Sequence, residues 1–254
     1  MTFDRGAVPS AVAVEVADRG WAAVPGLLEA AVLAPARAAL DAVFAAEDDI
    51  AADRGWATEV HRVAYALPAK DRLFVDLFTD PAVVAVAAAV LGDDCVLAGA
   101  NGLDLPPGSP GQGLHRDHPV PTPGWTAYLH VVAALDDFTA DNGATVVVDA
   151  SHREPRAEIA TGELADAARA VPIAAGDAVC FDGAVVHAAG PNRTGSRRRA
   201  LHAFFARPWV MPHWDFPATL PEDVAASLDD RQRRLFGFDA RPRRWDPATR
   251  RVHR

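Results

Sequence analysis

Cysteine is scarce in this chain of 254 residues: two, Cys95 and Cys180, are too few for a disulfide framework, so a reducing, cytoplasmic location is expected. Positive charge is short as well. Lys and Arg total 25 against 34 Asp and Glu, a formal net charge of −9, which argues against a general nucleic-acid binder. Lysine is reduced to Lys70, a mark of coding bias that carries no chemistry. Long apolar runs are missing too. The longest, Ala82 to Leu91, has ten residues, half of what a membrane-spanning helix needs, so no membrane partner is expected. The first twenty residues carry acids where a secretory signal has a basic region followed by an unbroken apolar one. These absences point to a soluble intracellular protein, expected to be a monomer or homodimer.

What is present suits a buried core: half of the residues are hydrophobic and 23% are charged. The texture changes once along the chain. Up to about residue 93 apolar residues recur at helical spacing, predicting helices from Leu27 to near Glu47, Asp71 to Phe78 and Pro81 to Leu91, with a short strand at Trp21–Val24. From Asp94 to about residue 210, short β-branched or aromatic runs alternate with turn residues. They predict strands at Val96–Gly99, Trp125–Leu135, Thr145–Val148, Ala178–Phe181, Val185–Ala188 and Ala200–Phe205. Closely spaced strands with Gly, Pro and Asp turns point to a sandwich or jelly roll. Residues 157–170 read as a helical or irregular insertion. With no internal repeat and no linker, residues 1–254 are expected to form one domain whose last part, 211–254, wraps the outside. That last part is locally basic: residues 231–254 hold nine arginines against Asp239 and Asp246. They read as a solvated arm packed down by Phe236 and Trp245, or else as a flap that meets an anionic substrate.

The chemistry lies in the strand-rich part. Most of the nine histidines must be structural, and a lone histidine is more often that than a ligand. In His115-Arg116-Asp117, however, positions two apart on a strand would turn an imidazole and a carboxylate to the same side. An HxD alone is common by chance. His187 supplies a third donor: Gly176 to His187 reads as strand, tight turn, strand, with the histidine ending the second strand at a cavity mouth. Two histidines and one carboxylate on one face of a metal form the arrangement of non-heme Fe(II) oxygenases. Eleven residues on, Arg198 can clamp a carboxylate in two-pronged fashion and keep its charge when buried. Arg197 and Arg199 beside it leave open which of the three does so, or whether all merely open a surface strand. His130 and His202 alternate with apolar residues in strands and read as hydrogen-bonded core groups, and His118 should face away from Asp117. Gly108 to Gly113 lacks the Gly-Lys-Ser/Thr ending of a phosphate loop.

Taken in order, Gly113 to Asp117, Val131 to Ala144, Val147 to His152 and Gly176 through Asn192 to Arg198 resemble the phytanoyl-CoA dioxygenase family over residues 20–210. The resemblance implies a mainly β fold with flanking helices, a double-stranded β-helix (jelly roll, cupin-like). It implies Fe(II) held by His115, Asp117 and His187, 2-oxoglutarate held by Arg198, and O2 as the oxidant. It also implies a C–H bond of a small molecule as the target, for hydroxylation, oxidative cyclisation or epimerisation, as in antibiotic biosynthesis. Two departures stand out. The family's Pro-Gly-Ser-His reads Asp149-Ala150-Ser151-His152 here, with His152 taken as structural. Ala189 stands where relatives place a hydroxyl that helps hold 2-oxoglutarate, so Asn101 or Thr145 is expected to contribute instead. Because Asp117 is retained, halogenation is disfavoured. The competing readings are a cupin-like metal-dependent isomerase or hydrolase, and a non-catalytic small-molecule-binding jelly roll. Specificity is sought in the Pro119–Trp125 loop, His213–Phe216 and the basic tail.

Overall fold

Strands whose successive residues are all apolar must bury both faces, and the central strands of this chain do so. The computed structural model describes residues 7–118, 122, 124–154, 164–240 and 244–253. Its elements run α1 (Ala7–Arg19), β1 (Trp21–Val24), α2 (Ala30–Ala46), α3 (Asp48–Ala51), β2 (Arg62–Ala64), α4 (Arg72–Phe78) and α5 (Pro81–Leu91). The strand-rich part follows: β3 (Val96–Leu105), β4 (Tyr128–Ala134), β5 (Thr145–Val148), β6 (Ala168–Ala170), β7 (Ala178–Asp182), β8 (His187–Ala189) and β9 (Arg198–Ala206). Three short helices, α6 (Phe216–Thr219), α7 (Glu222–Ala226) and α8 (Asp230–Leu235), and a hairpin of β10 (Arg244–Asp246) with β11 (Arg251–His253) complete it. Helix starts follow local chemistry. Asp71 and Asp80 cap α4 and α5 by accepting from Leu73 N and Ala82 N, and Pro81 occupies the first turn of α5.

The larger sheet has the order β1-β7-β4-β9-β3-β2 and the smaller β6-β5-β8, with every neighbouring pair antiparallel. Alternation along each central strand sorts the side chains. Leu129, Val131 and Ala133 of β4, Cys180 of β7, and Leu201, Ala203 and Phe205 of β9 pack with Leu40, Phe44, Phe74 and Val86 from the helices. The intervening Val132, Ala134, Val179, Phe181 and Ala200 face Phe138 and Val147 between the sheets. This is the expected jelly roll with helices on one face of its larger sheet. A register shift in β3 between Leu97 and Gly99 resets the alternation there. Gly99 is obligatory at this bulge, because a Cβ on it would lie 2.4 Å from the Phe204 ring. Past the bulge, Asn101, Leu103 and Leu105 turn inward and line a cavity.

Several sequence expectations need correction. His187 opens β8 instead of ending a strand, because Val185 and Ala184 are spent on the turn after β7. The HxD segment is not a strand: only His115 makes a β-bridge, and Arg116 to His118 bend away. Two strands, β2 and β6, and helix α1 carried too little periodicity to be read. Phe236 does pack the C-terminal part down, stacked edge-on against Phe216 at 5.1 Å, but Trp245 is exposed. Most of the Pro119–Trp125 loop, much of the insertion and residues 241–243 of the basic tail lie outside the described residues. Among those described, no single helix is long and apolar enough to cross a membrane.

Phe205 is wholly buried where β9 meets the helices, whereas Val14 on α1 is 69% exposed. Phe205→Ala is therefore expected to lower unfolding stability in urea by about 3–5 kcal/mol, and Val14→Ala by less than about 0.5 kcal/mol. Equal effects would contradict the placement of the core.

Candidate active site

His187 owes its position to the strand before it. Ser151 Oγ accepts from Val186 N at 2.8 Å and donates to Val148 O at 2.7 Å, tying the start of β8 to the end of β5. His187 and His115 then exchange two backbone hydrogen bonds, each of 2.9 Å. This bridge brings the two imidazoles to a ring separation of 4.4 Å. Next along the chain, His118 N bonds to Gly183 O at 2.8 Å, so the bend between these anchors delivers Asp117 into the same space. The expected convergence of His115 and Asp117 thus holds, produced by a bridge and a bend where a strand was expected. Arg116 turns the other way and donates to Ser151 O and Glu154 O.

The donor atoms of His115, Asp117 and His187 lie within 4.8 Å of one another. His115 Nε2 is 3.4 Å from Asp117 Oδ1, and His187 Nε2 is 3.5 Å from Asp117 Oδ2. On the far side of each ring, Nδ1 faces a backbone carbonyl, Gly113 O at 2.9 Å and Val185 O at 3.0 Å. Since a carbonyl can only accept, Nδ1 carries a proton in both rings, which leaves Nε2 as the atom able to present a lone pair to a metal. Those are the tautomers a metal requires, fixed from behind. Burial pushes the His187 imidazole below its usual pKa, which favours its neutral form, whereas the contact with Asp117 raises that of His115, so a metal at His115 Nε2 competes with a proton. Burial alone would raise Asp117, but the surrounding imidazoles, His130 foremost, hold it well below the ordinary carboxylate range.

The three arginines separate cleanly. Arg197 is paired with Asp104 and Asp41, and Arg199 with Asp136 and Asp41, on the helix side of the sheet. Arg198 points between the sheets. It is 3% exposed, lies 4.1 Å above the Phe138 ring and donates to Gly143 O at 2.6 Å. That carbonyl reaches it because Gly143 holds a φ of +89°, where a Cβ would also strike Leu105. Arg198 Nε has no hydrogen-bond partner, and no carboxylate among the described residues pairs with the group. Burial lowers its pKa to about 10, which leaves it charged at neutral pH.

Arg198 shares a cavity of about 200 Å³ with His115, Asp117, His187, Asn101 and Ala189. Asn101 Oδ1 already accepts from Ala66 N and Trp214 Nε1, each at 3.2 Å, so its amide nitrogen is the part left for a ligand. Thr145 is buried on β5 opposite Ala189 and is not among the residues lining the cavity. Gln112, His61, Tyr65 and His202 also line it. Gln112 Oε1 accepts from Ala189 N at 3.0 Å, close to the missing hydroxyl. Nothing in the motifs marks Gln112, and His61 and Tyr65 come from the helical half of the chain. His152, read as structural, faces Ala17 O at 3.3 Å.

Comparison with known proteins supports the same chemistry. The chain is 30% identical over 237 residues to an uncharacterized protein of Mycobacterium tuberculosis, covering 87% of this chain and 84% of that one. It is 27% identical over 183 residues to dioxygenase af480 of Aspergillus fumigatus, covering 70% of this chain but only 58% of the relative. Its fold matches that of the epimerase SnoN, solved with Fe3+, alpha ketoglutarate and nogalamycin RO, with a TM-score of 0.62 at 22% identity over 80% of this chain and 84% of that one. The model of the phytanoyl-CoA dioxygenase (PhyH) family matches residues 16–200. By that match the chain belongs to the phytanoyl-CoA dioxygenase family, the Fe(II)- and 2-oxoglutarate-dependent oxygenases.

Proposed function

We propose that His115, Asp117 and His187 hold Fe(II) through two Nε2 atoms and one carboxylate, and that Arg198 binds the distal carboxylate of 2-oxoglutarate. The observation that carries this reading is the pairing of two features in one cavity. One is a set of three converging metal donors; the other is a buried guanidinium with a free N–H and, among the described residues, no acid paired with it. An unpaired buried charge is costly, and a carboxylate ligand removes that cost. Bound together, Fe(II), 2-oxoglutarate and O2 supply an oxidant able to attack an unactivated C–H bond, with the keto acid leaving as succinate and CO2.

The chain's own residues set the conditions. The two carbonyl-anchored imidazoles stay aimed with Nε2 toward the metal, burial keeps His187 neutral, and Asp117 stays ionised. Arg198 above Phe138 orients the keto acid by its far end, while Asn101 and Gln112 offer amide N–H groups along the way. The substrate is a small molecule of specialised metabolism, as the relatives' names support. The outcome is hydroxylation, oxidative cyclisation or epimerisation. Product mass sorts these: one oxygen gained, two hydrogens lost, or no change.

His115→Ala, Asp117→Ala and His187→Ala are each expected to lower Fe(II) affinity by at least about a hundredfold and to abolish succinate formation. His118→Ala and His152→Ala should retain both. Equilibrium dialysis followed by metal analysis decides, and iron retained by His115→Ala but lost by His118→Ala would overturn the assignment.

Arg198→Ala is expected to weaken 2-oxoglutarate binding by about 2–4 kcal/mol with little change in iron affinity. Arg197→Ala and Arg199→Ala, which break partly buried ion pairs on the helix side of the sheet and away from the cavity, should leave keto-acid binding within about threefold. Calorimetry on the anaerobic iron-loaded variants checks this, and a large loss at Arg197 or Arg199 with none at Arg198 would contradict it.

A further inference from the structure

Two histidines outside the proposed metal triad lie beside Asp117. His130 on β4 and His202 on β9 both point between the sheets. The His130 ring is stacked flat on Phe181 at 4.9 Å and meets Phe204 edge-on at 4.6 Å, which holds it in one orientation. Its Nδ1 lies 3.4 Å from Asp117 Oδ2 and 3.1 Å from His202 Nε2. An ionised carboxylate can only accept, so the proton in the first contact sits on His130 Nδ1. His202 Nε2, facing that same N–H, must then present its lone pair, which places the His202 proton on Nδ1. The His130 N–H thus bonds His202 Nε2 and faces Asp117 Oδ2, and the carboxylate sets both tautomers.

Asp117 needs such help. It sits in a bend with backbone anchors only on either side of it, at His115 and His118. Among the described residues, His130 is the one side chain within ion-pair distance of its carboxylate besides the two proposed metal ligands.

We propose that the buried His130–His202 pair positions the metal-binding carboxylate: His130 donates to Asp117 Oδ2 and holds Oδ1 toward the metal, and His202 keeps the His130 proton on Nδ1. This rests on Asp117 being a ligand. His130 is a positioning residue that acts through Asp117, and His202, which also lines the cavity, acts here through His130. The same three groups also lie close enough together to hold a cation of their own. That would require stripping the proton from His130 and sharing Asp117 between two cations, so one metal per chain is expected.

Titration of the metal-free full chain with Co(II) tests this through its visible d–d absorption and the bound stoichiometry, without substrate or turnover. Wild type should bind one equivalent. His130→Leu should weaken binding roughly 10- to 100-fold and change the spectrum. His130→Asn, whose side-chain N–H can occupy the place of Nδ1–H, should restore affinity to within about threefold of wild type and recover the spectrum. His202→Leu should fall between wild type and His130→Leu. Thermal melts followed by circular dichroism establish that each variant is folded. Should His130→Leu bind Co(II) like wild type, or folded His130→Asn fail to improve on His130→Leu, the positioning role is wrong. It is equally wrong if wild type binds two equivalents. Asp117→Ala run alongside separates this outcome from the assignment beneath it. If Asp117→Ala keeps its Co(II), the ligand assignment has failed; if it loses Co(II) while His130→Leu does not, only the positioning role has.

Discussion

Two backbone hydrogen bonds between His115 and His187, each of 2.9 Å, are the constraint on which the centre depends. Some seventy residues separate the two histidines in sequence, and they come from a loop and from a three-residue strand. Neither segment is stiff by itself. The bridge makes the loop an extra rung on the smaller sheet, and Ser151 ties that sheet's central strand to the residue before His187. With the backbones joined, each ring needs only one carbonyl behind it to settle its direction and tautomer. A proline or an unpaired N–H at either bridge residue would disturb both imidazoles and the carboxylate together.

The handling of positive charge follows from strand alternation. Three consecutive arginines at the start of β9 meet two different environments, because neighbours on a strand point to opposite faces. Arg197 and Arg199 reach Asp41, Asp104 and Asp136 on the helix side and are neutralised there. Arg198 goes inward, where Phe138 covers it and a single carbonyl accepts from it. Satisfying the outer two while the inner one meets no carboxylate among the described residues leaves a buried positive charge on the cavity wall.

Much of this was legible in the sequence, and the reasons for the misses are physical. The strands at Trp21–Val24 and Thr145–Val148 and the helix Pro81–Leu91 were read with their observed bounds, because turn residues and caps mark both ends. The convergence of His115, Asp117 and His187 was legible because a metal centre would require particular residue types at separated points. The path that brings them together was not: a single β-bridge leaves no periodicity, so a strand was expected where a bend stands. Which arginine turns inward depended on knowing the first residue of β9, and a strand start is poorly marked by sequence. Gln112, His61 and Tyr65 were missed because they reach the cavity through tertiary packing. His130 and His202 were read as hydrogen-bonded core groups. Their bond to each other agrees with that, while their approach to Asp117 needed the register of β4 against β9.

The most direct test of the centre is to see the metal and the keto acid in place. Crystals grown without O2 in the presence of Mn(II) and 2-oxoglutarate should give one anomalous scattering peak per chain. That peak should lie within coordination distance of His115 Nε2, Asp117 and His187 Nε2, with the keto acid running from it to Arg198. A peak between His130 and His202, or 2-oxoglutarate bound away from Arg198, would contradict the account.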